Sequence, residues 1–273
     1  NGFNENKLFY IPLGTNSYDV PAKSTNNALN TSFERLSSGS RINFAKDDAA
    51  GQGIVARLSA ELKSINMASR NAADAQAMID TADGAHQEVH NMLLRMREIA
   101  VQSANGTLDS ADRTALNEEV TALENEITSI ADNTTFAGKN LGTSQALVFQ
   151  IGSAKGNSLA VTFKDFDKTK IGASVAVDTV TNAQNALDTL DAAISVVSTR
   201  RGEFGALSNR LSSTIANLDN IAVNLASARG RIQDTDFAQE TSNLAKSQIM
   251  QQAATAMLAQ ANASKQTVLA LIQ

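Results

Sequence analysis

The 273-residue chain has no cysteine and no tryptophan, and its two prolines, Pro12 and Pro21, both precede residue 22. Without thiols there are no disulfides and no thiolate metal sites, so stability has to come from packing or from assembly. With no proline after Pro21, nothing obliges a later helix to break. Aromatic residues make up 4% of the chain, which argues against a ring-centred core and for close packing of helices through small side chains. Positive charge is also short: 23 Lys and Arg against 28 Asp and Glu leave a net charge of −5. A general nucleic-acid binder needs a basic field to displace counterions, so nucleic acid is excluded as a partner. No apolar run approaches the roughly 20 residues that span a bilayer, and the N-terminal residues lack the basic-then-apolar layout of a secretory signal. The expectation is a protein that is cytoplasmic or exported without a cleaved signal.

What the chain does have is a seven-residue rhythm. Leu187, Leu190, Ile194, Val197, Arg201, Phe204, Ser208, Leu211, Ile215, Leu218, Ala222, Leu225, Arg229 and Ile232 follow one another at alternating steps of three and four. That is the seam of a long helix packing lengthwise on others, in a rod of roughly 65–70 Å at about 1.5 Å per residue. Several polar or small residues on the seam suit a shared bundle better than an isolated dimer.

Residues 1–24 differ from the rest, with both prolines, both tyrosines and no helical period. They are expected to be irregular and non-native, such as an expression remnant. Thr31 and Glu34 then have the spacing of a capping box, Ser37–Ser40 forms a turn cluster, and residues 41–51 form a polar connector. A helix is expected over about 54–104, with a stripe through Ala72, Ala75, Ile79, Ala82, His86, Val89, Leu93, Met96 and Ala100 and a stop at Asn105-Gly106. A third helix, capped by Asp109 or Ser110, is expected over about 110–132, and another over about 183–232. Between them, in a β region at about 134–180, residues 147–151 and 159–163 alternate as two strands around Gly152–Ser158, which reads as a hairpin. After a hinge-like stretch from Gly230 to Thr235, a last helix carries a seam of mostly small residues: Met250, Ala254, Met257, Ala261, Ser264, Val268 and Leu271. The fold class is mainly α: an elongated rod of long antiparallel heptad helices, a coiled-coil bundle, with a small β-hairpin region. The division expected is an irregular segment at 1–24, a rod-like core domain at 25–235, and a C-terminal coiled-coil helix at 236–273.

Few residues could carry catalysis. His86, Glu88 and His90 spell His-Gln-Glu-Val-His, but a zinc-protease helix needs Glu directly after the first His, and Gln87 stands there. These three are the only metal candidates, and seam or surface histidines explain them more simply. Gly152 and Gly156 lack the Gly-Lys-Ser/Thr ending of a phosphate loop and belong to the hairpin. Asp47 and Asp48, beside Lys46 and Arg41, are expected to form structural ion pairs rather than an acid–base pair. Met92 and Met96 read as core filler. No nucleophile, base and orienting group come together, so neither an enzyme nor a cofactor is expected.

The stretch Glu34-Arg35-Leu36-Ser37-Ser38-Gly39-Ser40-Arg41-Ile42-Asn43-Phe44-Ala45-Lys46-Asp47-Asp48-Ala49-Ala50-Gly51 closely resembles the N-terminal signature of bacterial flagellins. Phe204–Leu211, Ala228–Ala238 and Gln252–Asn262 resemble the C-terminal signature. The likeness covers about residues 25–165 and 183–273, with only a short linker between, and implies a short form lacking most of the variable outer domains.

The resemblance implies a structural subunit that polymerises into the flagellar filament for motility. It also implies export by the flagellar type III apparatus and a place in the secreted flagellum at the cell surface. The implied partners are other subunits, an export chaperone, the filament cap and a host innate immune receptor. Residues 95–102 resemble the segment that packs between subunits and is read by that receptor, which makes Arg95, Ile99 and Glu119 its expected contacts. Residues 1–24 do not resemble the family's first helix. The seam of Met250, Ala254, Met257, Ala261, Val268 and Leu271 is therefore expected to lack a partner within the chain, to fray, and to assemble poorly. The alternative is a flagellin-like adhesin or polysaccharide-binding protein at the cell surface, which the polar surface permits.

Overall fold

The computed structural model describes residues 19–272, with side chains from 23 to 260 and at 263. The expectations for residues 1–18, and for the side chains of Ala261, Val268 and Leu271, lie outside the described residues. The protein is mainly helical: α1 (Asp19–Ser38), α2 (Ala49–Ser103), α3 (Ser110–Asn133), α4 (Lys168–Ile171), α5 (Val180–Gln233) and α6 (Phe237–Ile272). Four short strands lie between α3 and α4: β1 (Thr135–Phe136), β2 (Lys139–Asn140), β3 (Gln145–Gln150) and β4 (Ser158–Phe163). Contacts divide the chain into two compact units, 1–59 with 226–273 and 60–225.

In the unit of residues 60–225, α2 and α5 pack antiparallel: Val89–Ala100 lies with Ala183–Val197, Ala72–Ala82 with Phe204 and Leu211, and Ile65 and Ala68 with Leu218. Higher numbers on one helix meet lower numbers on the other. Ala183, Leu190, Val197, Phe204, Leu211 and Leu218, seven residues apart, are all buried, as the heptad reading requires. On α2 the facing seam is buried at Ile65, Ala68, Ala72, Ala75, Ile79, Ala82, His86, Val89, Leu93 and Met96. The alanines leave room for the β3–β4 hairpin, which lays Leu159, Val161 and Phe163 on that stretch. Its register, Gln145↔Phe163 to Gln150↔Ser158, puts Leu147 and Phe149 on the same face. The hairpin expected at 147–163 therefore forms, with each strand shifted by one or two residues.

A second, tighter turn joins β1 to β2, with Ala137 (φ 48°) and Gly138 (φ 78°) both left-handed, the geometry that matches strand twist. Helix α3 is capped by Asp109, which accepts from the Ala111 and Asp112 amides at 2.9 Å while Asp112 returns a bond to the Asp109 amide. It adds Val120, Ile127 and Ala131 to the core. Glu124 of α3, buried, accepts from the Val175 amide at 2.7 Å and lies 3.4 Å from Lys168, tying the 173–177 segment down.

In the other unit, α1 begins at Asp19, not after residue 24, and packs against α6. Pro21 lies in its first turn, where no intrahelical amide bond is lost. Thr31 is interior to this helix, and its hydroxyl donates to the Asn27 carbonyl at 2.9 Å rather than capping. Gly39 (φ 69°) ends α1, and the chain turns back to pair with the end of α5. The Arg41 amide donates to Gln233 O at 2.6 Å, Thr235 donates to Gly39 O at 3.0 Å, and the Arg41 guanidinium donates to Ile232 O at 2.7 Å.

Asp47 and Asp48 do not act as ion pairs. Asp47 accepts from the Asn43 and Phe44 amides at 3.2 and 3.0 Å, and Asp48 from the Gly51 amide at 2.8 Å, capping α2 at Ala49. The bond from Phe44 holds the Asp47 carboxyl below its usual range. The hinge-like stretch expected from Gly230 to Thr235 is shorter and later, since α5 continues to Gln233 and residues 234–236 form the break before α6.

Candidate subunit-packing surface

Two faces of α6 differ in chemistry. Toward α1 lie Glu240 and Ser247, buried, with Leu244, Gln251, Ala254 and Leu258 half-buried, at steps of four and three. Ser32 donates to Glu240 at 2.5 Å, Arg35 lies 3.7 Å from the same carboxylate, and Gln251 donates to Asn26 at 2.8 Å. Met250, Ala254 and Met257 of the expected assembly seam fall in different surroundings within the single chain. Ala254 faces α1, but Met250 and Met257 are 48% and 64% exposed, beside Ile249 at 67%. The residues facing α1 run through Ser247, Gln251, Ala254 and Leu258, and Ser32 and Arg35 of α1 meet the polar Glu240 at the start of this row. The apolar methionines are left for something else. Up to Leu258 the described part of α6 does have a partner in the chain, namely α1.

On α2, Arg95 forks onto Glu119 of α3 at 2.8 and 3.0 Å and reaches Glu98 at 3.2 Å, and these bonds raise its already high pKa. Arg95 and Glu119 are thus brought together as an exposed ion pair. Ile99 stands apart from them: it is 0% exposed, packed in the core against α3 and α5. Four residues from Arg95 is about 40° of helix rotation, enough to turn Ile99 onto the seam. Its side chain is therefore buried beside the exposed Arg95. The apolar residues exposed here are Leu94 and Val101, 42% and 52%, which flank Arg97 and Glu98. Sequence reasoning missed them, although each directly follows a seam position, at Leu93 and Ala100. Arg97 pairs with Asp191 of α5 at 2.5 Å.

Among the described residues, His86, Glu88 and His90 are not grouped so as to hold a metal ion. His86 is 1% exposed between Phe166 and Phe204, with ring centroids 4.4 and 5.2 Å away, and its Nδ1 lies 2.8 Å from Ala82 O. Burial pushes its pKa below 6.5, and nearby Arg200 and Arg201 push the same way, against the Ala82 carbonyl and Asp83. Glu88 points to solvent and His90 is half-buried. Met96 is buried and Met92 packs against the core, as expected of filler.

Long heptad helices with satisfied seams and a second, uncovered apolar face belong to the class of self-assembling filament subunits. The known proteins make the class specific. Residues 16–143 match the bacterial flagellin N-terminal helical region and residues 187–272 the bacterial flagellin C-terminal helical region. The chain is 42% identical to a flagellin of Halalkalibacterium halodurans over 88% of its length and 90% of the relative's. It is 39% identical to a flagellin of Bacillus subtilis over 92% and 94%. The crystal structure of Bacillus cereus flagellin aligns with a TM-score of 0.52 and 31% identity, covering 59% of this chain and 94% of that one. The chain belongs to the bacterial flagellin family, in a short form. It is a structural subunit of the extracellular flagellar filament that polymerises with other flagellin subunits, and not an enzyme. Only residues 144–186 lie between the matched regions, and they hold the β3–β4 hairpin and α4.

Proposed function

We propose that the α6 face carrying Ile249, Met250 and Met257 is the surface on which neighbouring subunits meet, with Leu94 and Val101 of α2 as a second contact. The observation that carries this is the exposure of three large apolar side chains, Met250 and Met257 flanking the seam filled by α1 and Ile249 farther round the helix. Burying Met257 across such an interface contributes about 1.5–3 kcal/mol. A Met257→Glu substitution is expected to stop growth on filament seeds, followed by light scattering, while circular dichroism stays that of the folded subunit. Unimpaired growth of Met257→Glu would remove this face from the interface.

The resemblance further supports export through the flagellar type III apparatus with a dedicated chaperone, addition beneath the filament cap, and recognition by a host innate immune receptor. In this reading Arg95 and Glu119 present a single paired charge surface to the receptor while Ile99 fixes the helix beneath it. Arg95→Ala is expected to weaken receptor activation in a reporter cell assay, and an unchanged response would refute the assignment. No observation favours the adhesin or polysaccharide-binding alternative.

A further inference from the structure

The chain has six methionines and no cysteine, so thioethers are its only sulfur. Their environments divide sharply. Met78 and Met96 are buried and Met92 is half-buried against the core, whereas Met67, Met250 and Met257 are exposed. Met250 and Met257, seven residues apart, share one face of α6, and Met250 also lines the cleft beside α1 with Arg35, Lys246 and Ser247. Leucine would serve an apolar interface as well and would be inert to oxidants, while a thioether in solvent is the readiest site in this chain for oxygen transfer.

We propose that Met250 and Met257 form a reversible oxidation site that controls the free subunit's ability to assemble. The inference rests on the reading of the α6 face as a subunit contact. The oxidant is a hydroperoxide: the thioether sulfur attacks one peroxide oxygen, an S–O bond forms and the O–O bond breaks. Sulfur is oxidised by two electrons, and hydrogen peroxide leaves as water. The product, a sulfoxide, carries a strong dipole and an acceptor oxygen on a side chain that must be desolvated at the contact. Burying that oxygen without a donor opposes assembly. Met78 and Met96, shielded in the core, keep the subunit folded through the same exposure to oxidant. A sulfoxide reductase reverses the change with a thiol reductant.

The test treats purified protein with dilute hydrogen peroxide, locates added oxygen by peptide mass spectrometry, and follows growth on untreated filament seeds. Treated wild type is expected to grow about ten-fold or more slowly, with oxygen at Met67, Met250 and Met257 and little at Met78 or Met96. Reductase treatment is expected to restore growth. The Met250→Leu/Met257→Leu variant, compared with its own untreated form, should show the same growth rate with and without peroxide, whatever that rate is, whereas Met67→Leu should remain sensitive. Equal loss of growth in treated wild type and in the double leucine variant overturns this proposal alone, as does unchanged growth of fully oxidised wild type. Untreated wild type that never adds to seeds overturns the contact-face reading and this proposal with it.

Discussion

Replacing His86 with leucine should change how stability depends on pH, and it should do so in one direction. In the folded chain the imidazole is sealed between Phe166 and Phe204, and no group satisfies Nε2. Of the charged groups near it, Arg200, which donates to Asp165 O at 2.6 Å, and Arg201 oppose a second proton, and only Asp83, paired with Arg201 at 2.9 Å, favours one. The folded pKa therefore lies below the unfolded 6.5.

Between the two values the unfolded chain binds more protons, so stability rises with pH there. It is complete above 6.5 and is lost as pH falls toward the folded value, at no more than about 1.4 kcal/mol per pH unit for one proton. Leucine removes that proton uptake. It also removes an unsatisfied buried nitrogen, a gain of about 1–3 kcal/mol, offset by a repacking cost below about 1.5 kcal/mol. Urea unfolding of wild type and His86→Leu at pH 8, 7, 6 and 5 measures the difference, in which the titration of surface carboxylates cancels. The two should lie within about 2 kcal/mol at pH 8 and diverge in favour of leucine below 6.5. A difference constant across the series would refute the burial argument.

Leu190→Ala, at a fully buried seam position, should cost about 2–5 kcal/mol in urea unfolding with the m-value unchanged. Gly142→Ala would place a methyl 1.9 Å from the Ala131 carbonyl oxygen, a backbone atom that cannot swing aside. It should destabilise the unit of residues 60–225 by about 1–3 kcal/mol or more, seen as faster amide exchange at β2 and the end of α3.

Much of this was legible in the chain because a seven-residue repeat states its own geometry. The α5 seam from Leu187 to Leu225 could be placed residue by residue, and His86 fell on the matching α2 stripe. On α6 the same reasoning did not separate Ala254, which faces α1, from the exposed Met250 and Met257, because alanine, serine and glutamine surround them and hydropathy cannot say which face meets α1. The deciding chemistry, Ser32 and Arg35 meeting Glu240, is polar and lies 208 residues away along the chain for the Ser32–Glu240 bond. The β1–β2 turn escaped because its strands are two residues long and one of its left-handed residues is Ala137, not glycine. Asp47 and Asp48 look like partners for neighbouring cations, yet unpaired amides at a helix start draw them more strongly. Ile99 was assigned by its place in a motif, and only the packing shows that it faces inward.

The most direct measurement is negative-stain electron microscopy of the purified protein mixed with short filament fragments. Filaments that lengthen with added protein, and stop lengthening when Met257 is replaced by glutamate, are the predicted result. Folded protein that leaves the fragments at their starting length would contradict the account.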